Sequence, residues 1–399
     1  MTKQEKVLMT LGILIYSLLT IFSYAYVDLN LTLSQNSTAL AFVSFMQILG
    51  YFQRSLSTKL YILIVSVLFS YLLYHLYLAA KGSLSIKYVF KIVIVLSVLS
   101  ALAYPFLSSD VFNYLFDAKI VLKYHLNPYT HRAMDFPNDD WVRFMRWIHR
   151  YSPYGPMWLI LSIFPAFFSF GKFTLNLLLF KILMAAFHIL NTYLIYSILR
   201  KINPSKVIFG VSLYGLNPLF IIEGIINAHN DVVIASFMLL SIYLVINKNH
   251  IASFVSLIIG FLMKYFPILN LPWLILFAIR NKLSIKTFIL LNILTMIFFT
   301  FIYSTFKVSV PFVSSGATQT QFQPWYLFWT VPLLVLTLRK DFIAVALALS
   351  IGALMRYLPY LYWGDWSHNN TIIFMQATTI APAIAVAFFF LVKEHLLKK

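Results

Sequence analysis

The sequence predicts an all-α, polytopic integral membrane protein, and three observations predict it. Hydrophobic residues make up 61% of the chain and charged residues only 11%, whereas soluble domains carry about 25% charged residues. Mean hydropathy is +0.84. Apolar runs of about 20 residues, enough to cross a bilayer, recur along the whole length. Their apolarity is continuous rather than alternating, which argues against a β-barrel.

Hydropathy marks 12 candidate spans: 7–26, 59–79, 86–106, 173–198, 207–226, 232–247, 251–266, 267–279, 285–305, 324–338, 342–361 and 371–392. The first follows Lys3 and Lys6, and its apolar core is longer than that of a signal peptide, so it reads as a retained span. The segment Pro156–Phe170 is short and carries Pro165, which predicts a re-entrant or interfacial helix. The pair 251–266 and 267–279 hinges at Pro267 and reads as a broken helix pair.

A net charge of +18 would suggest a nucleic-acid partner in a soluble domain. Here the basic residues sit in short loops between spans. An N-terminus inside puts Arg200, Lys201, Lys206, Lys248, Arg280, Lys286, Arg339 and Lys340 in the cytoplasm, as the positive-inside rule requires. The same orientation sends Asp28, Asp110, Asp117, Asp135, Asp139, Asp140, Asp231 and Asp365 to the outer face. The absence of cysteine excludes disulfides, thiol catalysis and thiolate metal sites.

The outer loop 108–155 is the largest soluble element. It opens with Asp110, in a chain of 399 residues with only 12 Asp and Glu. On a helical wheel Asp110, Asn113 and Asp117 share one side, and Val111, Tyr114, Leu115, Ala118 and Leu122 another. This pattern predicts a helix on the membrane surface, its apolar side in lipid and its acidic side facing an aqueous cavity. A first-turn carboxylate is also favoured by the helix dipole, whatever its chemistry. Further on, Arg143, Arg146 and Arg150 sit at helical spacing among Trp141 and Trp147. That pattern reads as an interfacial anchor, or as a grip on a lipid phosphate.

Other polar groups gather at the outer ends of spans: Asn227–Asp231, Gln319–Tyr326, and Arg356 with Trp363–His368. Ionisable residues near the bilayer are functional hypotheses, since each costs roughly 2.5–3.5 kcal/mol at a helix centre. Lys264 and Arg356 lie in parallel contexts, M-K-Y-F-P and M-R-Y-L-P. Each either snorkels to headgroups or helps grip a phosphate. Glu223 is the only obvious buried acid for them, so an external anion is expected. Lys181 and His188 read as packing or snorkelling residues. His229 and Asp231 alone do not make a metal site, so no metal ligands and no cofactor are expected, with a divalent metal left open.

Together these pieces resemble the GT-C superfamily of polyprenyl-phosphate-sugar glycosyltransferases, and within it the prokaryotic mannosyltransferases. The resemblance is carried by Ser109–Tyr114 with Asp117, Leu126-Asn127-Pro128-Tyr129, Tyr151–Pro156, Leu216-Asn217-Pro218 with Glu223, His229-Asn230-Asp231, Lys264–Pro267 and Pro324-Trp325-Tyr326. It covers about residues 100–330 and implies one transmembrane domain over 1–399, with 108–155 as its outer loop. It also implies a plasma-membrane enzyme whose active site faces outward, with Asp110 as catalytic base. The residues add the rest of the expected site: Lys264 and Arg356 for the donor phosphate, and Asn113, Asp117, His229, Asn230, Asp231 and Tyr326 for substrate. The expected partners are a polyprenyl-phosphate sugar, a glycan or glycolipid acceptor hydroxyl and membrane lipids, with inversion at the anomeric carbon and no nucleic acid. A secondary transporter and a lipid-linked oligosaccharide ligase or polymerase are the competing classes. A transporter would show internal repeats and a midplane site, neither of which is evident here.

Overall fold

The computed structural model describes residues 1–280, 283–303, 322–365 and 371–396. It is built from helices, and no strand occurs among the described residues. Sixteen α-helices follow one another among the described residues: α1 Lys3–Ser23, α2 Ser37–Gln47, α3 Arg54–Ala80, α4 Ile86–Ala101, α5 Asp110–Tyr124, α6 Pro156–Phe168, α7 Phe173–Ile202 and α8 Val207–Gly215. Then come α9 Asp231–Ile246, α10 His250–Phe261, α11 Leu271–Arg280, α12 Ile285–Ile297, α13 Val331–Thr337, α14 Lys340–Met355, α15 Leu358–Trp363 and α16 Thr371–Leu396.

Local sequence explains the ends. Thr2 and Glu5 form a reciprocal capping box at the start of α1. Glu5 also accepts hydrogen bonds from the Ser85 backbone N–H (2.9 Å) and hydroxyl (2.8 Å), which pins the start of α1 to that of α4. Asn36, Ser85, Asn249 and Ser284 cap α2, α4, α10 and α12 through their side chains.

Among the described residues four helical stretches are long and apolar enough to cross a membrane: Lys3–Tyr26, Arg54–Ala80, Phe173–Ile202 and Lys340–Trp363. A fifth arises if Pro204–Gly215 and Phe220–Ile226, bent by 53°, count as one span. Most of the remaining segments marked from hydropathy form shorter helices, and α16, 26 residues long, has its apolar stretch at Ala377–Lys393, so helix length and composition account for four or five of the twelve. Apolar composition marks where the chain leaves water, but Pro and loop breaks decide how far each helix runs. Hydropathy also passed over Ser37–Phe52, a further apolar helix.

Pro156–Phe168 is 13 residues long, about 20 Å at 1.5 Å per residue, too short for a 30 Å hydrocarbon core. Pro165 lies inside it without ending it. The expected break near Pro267 is present: α10 stops at Phe261, and a 3-10 turn, Phe266–Asn270, precedes α11. α7 runs through the centre of the fold and packs on α4, α6, α8 and α9.

α5 departs from expectation. It packs on α6 and α7, and every residue from Val111 to Ala118 is buried. Its apolar side is covered by protein rather than lipid, and the loop 133–155 folds over the opposite side. The periodicity identified two faces correctly, but period alone does not say what covers each one.

Candidate active site

A cavity of about 280 Å³ lies at the start of α5. Its wall includes Ser108, Ser109 and Asp110, then Arg146 and Trp147 from the loop, Trp325, and Arg356, Tyr357 and Tyr360 around the α14–α15 junction. Asp28 and Tyr51 also line it. Asp110 is the first residue of α5, and its backbone N–H donates to the Ser108 hydroxyl at 3.3 Å. Among the described residues no hydrogen bond reaches its carboxylate oxygens, so they are open to the cavity. Asp28, by contrast, accepts from the Asn30 N–H at 2.9 Å.

Two arginines face this space. Arg356 is only 2% exposed. Its Nη1 has no hydrogen-bond partner among the described residues, and its guanidinium lies 5.9 Å from the Phe322 ring centre. A buried cation so weakly partnered is costly unless an anion meets it. Arg146 is exposed to the cavity and donates to the Tyr360 hydroxyl at 3.0 Å. Arg150 sits behind: burial lowers its pKa, but the fields of Tyr154 and Asp110 outweigh this and leave it raised.

The loop residues therefore do not form the anchor helix that their spacing suggested. Only Val142–Phe144 makes a short 3-10 turn. Trp141 and Phe144 are buried, while Arg146 and Trp147 turn into the cavity.

A polar chain supports the cavity from below. Glu223, on the π-helix Phe220–Ile226, holds His229 Nδ1 at 3.1 Å. His229 Nε2 meets the Ser108 hydroxyl at 3.0 Å, and the imidazole stacks on Trp325 with centroids 3.8 Å apart. Ala228 adopts a left-handed conformation, φ 57°, which turns the chain so that the His229 N–H reaches the Glu223 carbonyl at 3.0 Å. Asn227 bridges from Glu223 Oε2 (3.1 Å) to the Leu107 N–H (3.2 Å), tying this turn to the approach to α5.

Residues 9–281 match the family model described as alpha-(1->6)-mannopyranosyltransferase, N-terminal domain. The chain belongs to this mannosyltransferase family. No curated protein and no solved structure gives a match. The family region of the mannosyltransferase contains Asp110, His229 and Lys264, while Trp325, Tyr326 and Arg356 come from beyond it.

The expected site residues divide into two groups. Asp110 and Arg356 come together in the cavity. Lys264 does not line it: its ammonium lies 2.9 Å from both oxygens of Asp231. The Trp329 indole N–H also donates to Asp231, at 2.6 Å. Lys264 thus has the buried acid partner that the sequence reading did not assign, and its charge is neutralised within the mannosyltransferase. Tyr154, Tyr326 and Trp329 surround the ammonium at 5.5, 5.9 and 5.7 Å.

His229, Asn230 and Asp231 are fully buried and do not line the cavity. Asn113 donates to the Trp147 carbonyl at 3.0 Å and holds the loop down. Asp117 is buried instead of facing water. Burial pushes its carboxyl up to about 7, against the Ser152 hydroxyl and Arg150, which pull it down. Tyr326 stacks on Trp329 at 4.3 Å, and its neighbour Trp325 takes the cavity position. Gln319–Gln321 and His368 lie outside the described residues. Ser108, Trp325 and Tyr360 were not expected in the site, and Arg146 was expected only as part of an interfacial anchor or of a grip on a lipid phosphate. Only Arg146 and Trp325 carried a signal, as members of motifs whose local geometry was not legible.

Proposed function

We propose that this mannosyltransferase moves mannose from a polyprenyl-phosphate donor to a hydroxyl of a glycan or glycolipid acceptor. The reaction takes place at the extracytoplasmic face of the plasma membrane. The observation that carries this reading is one cavity holding a carboxylate, Asp110, that accepts no hydrogen bond among the described residues, and a buried guanidinium, Arg356. A sugar on a lipid phosphate is already activated, so the protein needs only a base for the acceptor and cations for the leaving group.

Asp110 accepts the proton of the acceptor hydroxyl as its oxygen bonds to the anomeric carbon. The bond from that carbon to the phosphate oxygen breaks, and the phosphate leaves with the electron pair. Arg356 and Arg146 stabilise the charge that develops on it. Attack from the side opposite the phosphate inverts the anomeric centre. Arg146 replaces Lys264 as the second phosphate ligand in this reading, because Lys264 is already paired. The sequence contains no G-x-x-x-x-G-K-[ST] phosphate loop, which agrees with a lipid-linked donor.

Purified protein given a synthetic prenyl-phosphate mannose and, separately, a nucleotide-linked mannose tests the reading. Transfer from the lipid donor alone is expected. Transfer from the nucleotide donor alone would overturn it.

A further inference from the structure

We infer that Ser108 and Trp325, both held by His229, form the wall against which the transferred mannose ring packs. The inference rests on the proposed reaction in this cavity and adds where the sugar lies. Carbohydrate rings are recognised by hydrogen bonds to their hydroxyls and by aromatic faces laid against their C–H surfaces. His229 organises one group of each kind. It reaches the Ser108 hydroxyl through Nε2 at 3.0 Å and stacks on Trp325 at 3.8 Å, with ring planes 22° apart.

The hydrogen-bond inventory gives Ser108 a free position. A serine hydroxyl has one donor and two acceptor positions. One of them is taken by His229 Nε2 at 3.0 Å. A lone pair accepts from the Asp110 N–H at 3.3 Å. One position remains, on a side chain that lines the cavity. It bonds a sugar hydroxyl. Trp325 lines the same cavity half-buried, so part of its indole is available to a ligand. Arg356 lines it too, and a sugar attached to a phosphate held there lies within one ring's length of that phosphate.

His229 and Glu223 are positioning residues in this arrangement, since neither lines the cavity. A carboxylate that orients an imidazole, which in turn orients a hydroxyl, fixes the direction of the free hydrogen-bonding position at little cost on binding.

The test is a cycle of protein variants against donor analogues. Synthetic prenyl-phosphate mannose and its 2-, 3-, 4- and 6-deoxy forms are given to wild type, Ser108→Ala, Ser108→Thr and Trp325→Leu, and kcat/KM is measured. In wild type one deoxy donor is expected to be slower than the parent by about 10-fold, the scale of one hydrogen bond. In Ser108→Ala that disadvantage should vanish, with the parent donor itself slowed about 10-fold. Ser108→Thr keeps the hydroxyl and should retain the discrimination. Trp325→Leu should slow all five donors alike, by roughly 10-fold, by removing the platform. His229→Gln should reduce the discrimination only in part, because it loosens the serine without removing it.

Equal deoxy penalties in wild type and Ser108→Ala would overturn the serine contact even where transfer itself is sound. Unchanged rates in Trp325→Leu would overturn the platform. A wild type that transfers from none of the lipid donors would instead refute the reaction on which the inference rests, and the inference with it.

Discussion

The Lys264 ammonium lies 2.9 Å from both carboxylate oxygens of Asp231, residues that stand 33 positions apart and meet beneath a cage of aromatic rings. Asp231 is fully buried, while the Lys264 side chain keeps 19% exposure. Removing one partner of such a pair leaves the other uncompensated, at about 3–5 kcal/mol for a buried pair and less where one partner touches solvent. Lys264→Met is therefore expected to lower the melting temperature of the purified protein, and Lys264→Met with Asp231→Asn to recover most of the loss. The asparagine oxygen still accepts from the Trp329 indole. A single Lys264→Met variant that melts like wild type but binds donor poorly would return Lys264 to the phosphate site.

Arg356 should behave in the opposite way. It is buried with an unpartnered Nη1, so Arg356→Met removes a desolvated charge without breaking a direct ion pair among the described residues. Melting temperature should hold or rise while transfer falls by about 10²-fold or more, the loss typical for one donor to a developing anion. Lowered stability with unchanged kcat/KM would make Arg356 structural.

These two cations mark where the sequence stopped being informative. Their contexts, M-K-Y-F-P and M-R-Y-L-P, are nearly the same, yet one is neutralised and one faces a cavity. The difference comes from Asp231 and Trp329, distant residues that no local pattern announces. Most of the helices were legible, because apolar runs are local, although Ser37–Phe52 was passed over. The role of Trp325 was not: Pro324–Trp329 is a 3-10 helix, in which successive side chains point about 120° apart and i, i+3 eclipse. Tyr326 therefore stacks on Trp329, while Trp325 turns to the cavity. The helix at Asp110 was read with the right faces and the wrong surroundings, since the loop that covers it is itself irregular.

Asp117 predicts a pH dependence. Its folded carboxyl titrates at about 7, raised by burial, whereas an unfolded aspartate titrates near ~3.9. Below about pH 4 both states are protonated, and burial carries no ionisation penalty. Between about 4 and 7 the folded state binds more protons than the unfolded one, so stability falls as pH rises and levels off above that window. Asp117→Asn should flatten this part of the melting-temperature profile and raise stability at pH 7.5. An unchanged slope would assign it to other groups.

Gly155 tests how the loop is docked. Its N–H donates to the Met263 carbonyl at 3.0 Å, and a Cβ placed there would lie 2.1 Å from the Leu262 carbonyl oxygen. That contact is with backbone and cannot be relieved by a rotamer change. Gly155→Ala should therefore separate the start of α6 from the end of α10, with a loss on the order of 1–3 kcal/mol. Limited proteolysis of the loop 125–155 should speed up. Unaltered proteolysis and melting would mean that the contact is not maintained in solution.

The most direct measurement of the central claim is the initial rate of mannose transfer from prenyl-phosphate mannose by purified Asp110→Asn, with Asp28→Asn alongside as the other carboxylate of the cavity. Asparagine keeps the size of the side chain and removes its basicity. A loss of at least about 10²-fold is expected for Asp110→Asn with donor binding retained, and a rate within a few-fold of wild type for Asp28→Asn. Transfer by Asp110→Asn within a few-fold of wild type would contradict that claim.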